Sequence, residues 1–171
     1  PPFVDRIGRW PQEPTAADET WITARVRAER PLASVRLAYR IDESGADESV
    51  VEMADDGAHR DGVAGDGVWG AAVPAQAHNT IVLFRVVAED ETGAGVTTPL
   101  ETDPTGFHGF YVNDNQPESP LPVYTLLWNH RTAIAPRTMR SRLASCAVYV
   151  NAAFAYRGDL YFNIGLRRRG G

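Results

Sequence analysis

Four aspartates invite a chemical reading: Asp55, Asp56, Asp61 and Asp66, set among Gly57, Gly62, Gly65 and Gly67 in the segment running to Trp69. Clustered carboxylates with loop carbonyls are what a calcium ion takes, about six to eight oxygens at a time. The spacing is not that of a helix-loop-helix calcium site, because the carboxylates do not fall at alternate positions. The same composition also builds a loop that needs no ion: aspartate side chains accept nearby backbone N–H groups and glycines supply positive φ. Both readings stand on sequence alone, with calcium the one candidate cofactor.

Other chemistry finds less support. The histidines, at 59, 78, 108 and 130, are scattered without metal-ligand spacing, and only His59 lies beside the aspartates. No Gly-x-Ser-x-Gly elbow is present, so serine hydrolase chemistry has no foothold. The glycines at 62, 65 and 67 sit in an acidic segment that repels phosphate. Arg157-Gly158-Asp159 spells an adhesion tripeptide, yet Gly-Asp is also ordinary turn chemistry. Arg167, Arg168 and Arg169 could meet an acidic partner or a nucleotide, or form a solvated strand edge that discourages pairing. Trp21, Trp69 and Trp128 read as core anchors before they read as a sugar-stacking row.

Composition narrows the field further. The 171 residues carry 17 basic and 22 acidic side chains, a net charge of -5, so no global field draws nucleic acid or an anionic membrane. All the basic residues are arginine, which removes lysine chemistry altogether. Cys146 is the single cysteine, excluding an intrachain disulfide and a cysteine-based zinc site. No apolar run is long enough to span a bilayer as a helix. The opening Pro1-Pro2 and the closing Arg167-Arg168-Arg169-Gly170-Gly171 suggest a piece of something longer.

The elements that must position these residues are strands. Residues 1–19, with Pro1, Pro2, Pro11 and Pro14, suggest an extended lead-in with little regular structure. From Thr20, alternation of polar and apolar residues marks strands over 20–28 and 35–41. Shorter strands are expected at 50–53, just before the Asp/Gly loop, and at 68–73, just after it. The apolar run 81–88 is the candidate central strand, buried on both faces. Strands at 96–99 and 107–112 complete an immunoglobulin- or fibronectin-like β-sandwich over 20–113, without the Cys-Trp-Cys signature of antibody domains. The polar, proline-bearing segment 114–120 reads as a linker. Beyond it come a strand at 123–128, an ambiguous segment 132–144, and two strands, 145–156 and 160–168, joined at Arg157-Gly158-Asp159. This unit has too little chain for an independent core.

Leu121-Pro122-Val123-Tyr124-Thr125-Leu126, then Ala147-Val148-Tyr149-Val150, then Leu160 to Gly165 and Leu166-Arg167-Arg168-Arg169-Gly170 resemble the opening of the spore-coat H (CotH) kinase-like family. The block from Asp55 to Trp69 with the strand and turn at 81–93 is similar to immunoglobulin-like modules found upstream of such domains in secreted bacterial proteins. The resemblance implies that residues 121–171 are the N-terminal strands of an incomplete, β-rich α+β kinase-like domain. It places the catalytic and metal-binding carboxylates of an atypical protein kinase further along the chain. No catalytic residue is carried over; Arg167, Arg169 and Gly170 match the motif without an assigned phosphate role. The resulting expectation is a non-catalytic accessory sandwich plus a truncated kinase-like segment, from a secreted or cell-surface bacterial protein. Its partner is then the remainder of the parent chain or another surface protein. The rival expectation is a stand-alone extracellular binding or adhesion module, with residues 120–171 as a second β layer and calcium as a stiffener.

Overall fold

The computed structural model describes residues 1–42, 47–100, 102, 103, 106–128 and 150–166, and every regular element among them is a strand. Eight belong to the first part of the chain: β1 (Phe3–Trp10), β2 (Thr20–Arg27), β3 (Leu32–Ile41), β4 (Ser49–Glu52), β5 (Val68–Val73), β6 (Ile81–Asp90), β7 (Gly95–Thr98) and β8 (His108–Tyr111). Three follow the proline-bearing connection: β9 (Tyr124–Trp128), β10 (Val150–Tyr156) and β11 (Asp159–Leu166). The segment 132–144 and the strand expectation for 145–149 lie outside the described residues, as do Arg167, Arg168, Arg169 and Gly170.

Two sheets face each other in an immunoglobulin-like β-sandwich. The smaller has the order β1-β2-β5, all antiparallel. The larger runs β4-β3-β6-β8-β11-β10-β9, with β7 on the same edge of β6 as β8 and further along it. Period-two alternation dictates which residues meet between the sheets. Ile22, Ala24 and Val26 from one sheet pack against Val35, Leu37, Val82, Phe84, Val86 and Phe110 from the other.

The lead-in is a correction to the expectation from its prolines. Residues 3–10 form β1, paired with β2 from Phe3↔Arg27 to Trp10↔Trp21. Prolines flank this run and leave its interior free to donate ladder hydrogen bonds, and Val4 and Ile7 pack on the core.

β6 is buried on both faces, as its unbroken apolar run implies. Val82, Phe84, Val86 and Ala88 face the smaller sheet, while Ile81 and Leu83 point the other way into a second cluster. That cluster is closed by the C-terminal strands: Leu127, Ala153 and Ala155 are buried there, with Phe107, Leu160 and Phe162 packed on them. β11 meets β8 at one ladder position, Asp159↔Phe110, and beyond it the meander β11-β10-β9 reaches back over the outer face of β6. The last three strands thus extend the large sheet through β8 and curl back over its outer face. Gly109 makes this possible: a Cβ there would lie 2.9 Å from the Phe162 ring and 3.0 Å from Leu160.

Candidate functional site

The Asp/Gly loop leaves β4, makes an isolated bridge at Ala54↔Gly70, and enters β5. Its carboxylates turn toward backbone N–H groups. Asp61, 1% exposed, accepts from Asp56 N at 2.6 Å and Gly57 N at 2.8 Å through Oδ2, and from His59 N at 2.9 Å through Oδ1. Asp55 accepts from Gly65 N and Gly67 N at 2.8 and 2.9 Å. Asp66 caps Val63 N and Val68 N, and Asp56 caps Ala58 N at 2.8 Å. Gly57, Gly62, Gly65 and Gly67 all have positive φ, as does Arg60 at 56°. These turns are what bring the N–H donors to the carboxylates.

The electrostatics follow. Burial pushes the Asp61 carboxyl up, but its backbone donors outweigh this and hold it below the ordinary 3.8. The hydrogen bond between Asp56 Oδ1 and His59 Nδ1, 2.8 Å long, lowers Asp56 and raises His59 above 6.5. Asp55, Asp56, Asp61 and Asp66 therefore each serve the loop's own donors. Among the described residues no three His, Cys, Asp or Glu side chains form a group able to hold a metal ion.

The loop also covers the outer face of the small sheet. The His59 carbonyl lies so close to Gly70 that a Cβ there would collide with it, and the His59 ring meets Trp21 edge-on at 5.8 Å. Arg60 lays its guanidinium 3.3 Å from the centre of the Trp10 ring. Trp69 packs on the opposite face against the core.

The adhesion tripeptide is built into a seam. Arg157 (φ 49°) and Gly158 (φ 76°) make the β10–β11 turn, and Gly158 lies directly against the Gln12 carbonyl. The Asp159 carboxylate accepts from Arg9 Nη2 at 2.8 Å and Gln12 Nε2 at 3.3 Å. The Arg9 side chain is 6% exposed, donates also to the Gln12 carbonyl, and lies over Phe110. Burial lowers the Arg9 pKa against the opposing pull of Asp159. Arg9 and Gln12 fall in the segment from which little regular structure was expected, and nothing in their local pattern marks them.

The remaining described histidines also have structural surroundings. His78 Nδ1 accepts from Asp114 N at 3.0 Å, which fixes the start of the connection. His108 lies beside Phe84 with Nε2 buried and without a hydrogen-bond partner, and burial lowers its pKa. His130 and the side chain of Trp128 lie outside the described residues.

The connection itself is tied down. Asn113 N donates to the Pro14 carbonyl, Asp114 Oδ1 accepts from Ala16 N at 2.6 Å, and Gln116 Nε2 donates to the Glu13 carbonyl. Between this connection and the end of the meander lies an open groove of about 310 Å³. Tyr111, Ala155 and Gly158 are its buried part, and Glu13, Gln116, Ser119, Thr125 and Arg157 bring polar groups to it.

The outer face of the meander carries an aromatic ladder. Tyr124 stacks on Tyr156 at 4.8 Å, and Phe154 on Tyr161 at 4.6 Å. The rings cover one another's faces and turn their edges outward, which suits strand cross-bracing better than a flat sugar platform.

No curated protein matches the chain. Residues 15–97 match the family model of the conditioned medium factor second Ig-like domain, a span that opens before β2 and closes within β7. Sheet order and core give this part of the chain an immunoglobulin-like β-sandwich, and the family match is in keeping with that architecture.

Proposed function

We propose that this chain is a non-catalytic accessory module whose immunoglobulin-like sandwich carries and braces the opening strands of a CotH-like kinase domain, in a secreted or surface bacterial protein. The observation that carries this reading is the asymmetry of the meander. One face is sealed on β6 through Leu127, Ala153 and Ala155, while the other exposes Tyr124 (58%), Leu126 (42%) and Tyr161 (45%). A sheet with a second apolar face calls for a second covering layer, and the remainder of a kinase-like domain in the same parent chain would supply it. The Leu121-to-Leu126 and Leu160-to-Gly170 motifs support the same assignment. No residue described here has a catalytic role in this reading.

The intact mass of the native protein, measured from its source, tests it. A mass well above 18.7 kDa, with kinase-type carboxylates downstream of Gly171, is the expected result. A native protein of 18.7 kDa overturns it. A second reading, a binding module in its own right, is favoured by the continuity of the large sheet from β4 to β9 and by the groove at its seam.

A further inference from the structure

The groove between the connection and the meander is a ready-made site, and we propose that it binds a neutral saccharide of one or two rings. This rests on the reading of the chain as an accessory binding module and not on its kinase parentage. The volume of about 310 Å³ is at the small end of the range for ligand sites and suits a ligand of that size.

The lining chemistry selects the class. Gln116 spends its amide nitrogen on the Glu13 carbonyl, which orients the amide and leaves Oε1 as an acceptor. Ser119 Oγ accepts from Leu121 N and keeps its hydroxyl proton to donate. Asn113 Oδ1 accepts from Asn115 N, leaving the amide nitrogen as a donor. Three polar side chains are thus each fixed by one backbone hydrogen bond, with the complementary atom unengaged among the described residues. Thr125 adds a hydroxyl from the meander.

A polyhydroxylated ligand needs donors and acceptors interleaved, with an apolar surface for its C–H face. The buried floor of the groove at Tyr111 and Ala155 supplies that surface. One carboxylate, Glu13, and one guanidinium, Arg157, offset each other in charge, so neither an anion nor a cation is favoured. Because Asn113, Gln116 and the turn at Gly158 are held by the sandwich, the site exists only while the meander is docked.

The test is a two-dimensional amide NMR titration of the whole chain with maltose, cellobiose, lactose and N,N′-diacetylchitobiose. The expected result is saturable shifts from at least one sugar, confined to residues lining the groove. In Gln116→Ala and Thr125→Val the same sugar should bind at least about fivefold more weakly, in proteins whose spectra and melting temperatures match the parent. No saturable shift from any of the four overturns the proposal. So does binding unchanged in both variants, or shifts that centre on the outer aromatic face of the meander. A native mass of 18.7 kDa alongside sugar binding would remove the kinase parentage and leave the site standing.

Discussion

Arg9 Nη2 and Asp159 Oδ1, 150 residues apart in sequence, lie 2.8 Å apart. The guanidinium is buried and the carboxylate is half exposed at the tip of the β10–β11 turn. This pair fastens the C-terminal meander to the edge of the small sheet. It also engages the carboxylate that an adhesive Arg-Gly-Asp loop would offer to a receptor.

Replacing Arg9 by Ala removes packing on Phe110 together with hydrogen bonds to Gln12 and Asp159, and should cost about 2–3 kcal/mol in urea unfolding. Asp159→Asn should cost less, about 1 kcal/mol, because water screens the exposed partner. A double-mutant cycle should return a coupling of about 0.5–1 kcal/mol. Amide exchange in Arg9→Ala should rise first in β10 and β11, ahead of the sandwich strands.

Gly158→Ala places a methyl group against the Gln12 carbonyl at a residue with φ of 76°. Because the opposing atom is backbone, the turn must shift, and a loss of about 2–3 kcal/mol is expected. Cell adhesion or integrin capture should be absent for the parent chain, since Asp159 is already engaged.

Asp61→Ala strips the acceptor from three loop N–H groups and should destabilise the protein by about 3 kcal/mol, with Asp61→Asn recovering part of this. Thermal melts in millimolar calcium and in chelator should coincide, because the loop carboxylates are already engaged by internal donors. A calcium-dependent rise in melting temperature would show that the loop rearranges to take an ion.

NMR titration should place the His59 midpoint above 6.5 and the His108 midpoint below it. The raised His59 contributes stability that is fully present below 6.5 and fades as pH rises through its folded value. Its partner Asp56, lowered from 3.8, contributes stability present above 3.8 and lost as pH falls through its lower folded value. The pair therefore supports the loop between these limits. His108 acts in the opposite sense to His59: its neutral form is favoured, so stability is complete above 6.5 and declines as pH falls through its folded value. In Asp56→Asn the His59 midpoint should fall while that of His108 stays where it is.

From β2 onward the sequence by itself determined the strands of the sandwich and the character of its loops, while β1 emerged only in its pairing with β2. Alternation in 20–27 and 35–41, the apolar run of β6 and the turn at Asp90 to Gly93 are local consequences of which side chains can face a core. The motif Asp55 to Trp69 was legible as a loop for the same reason, since Asp-Gly pairs act on their own backbone. Only the tertiary structure decided which backbone N–H groups the four carboxylates accept, because composition does not say which donors the turns bring to them. Sheet curvature then brought Leu160 and Phe162 over Gly109, and burial in β1 placed Arg9 under Asp159. The seam and its groove join residues 13, 116 and 157, whose local patterns say nothing of one another, so long-range strand pairing alone could assemble them.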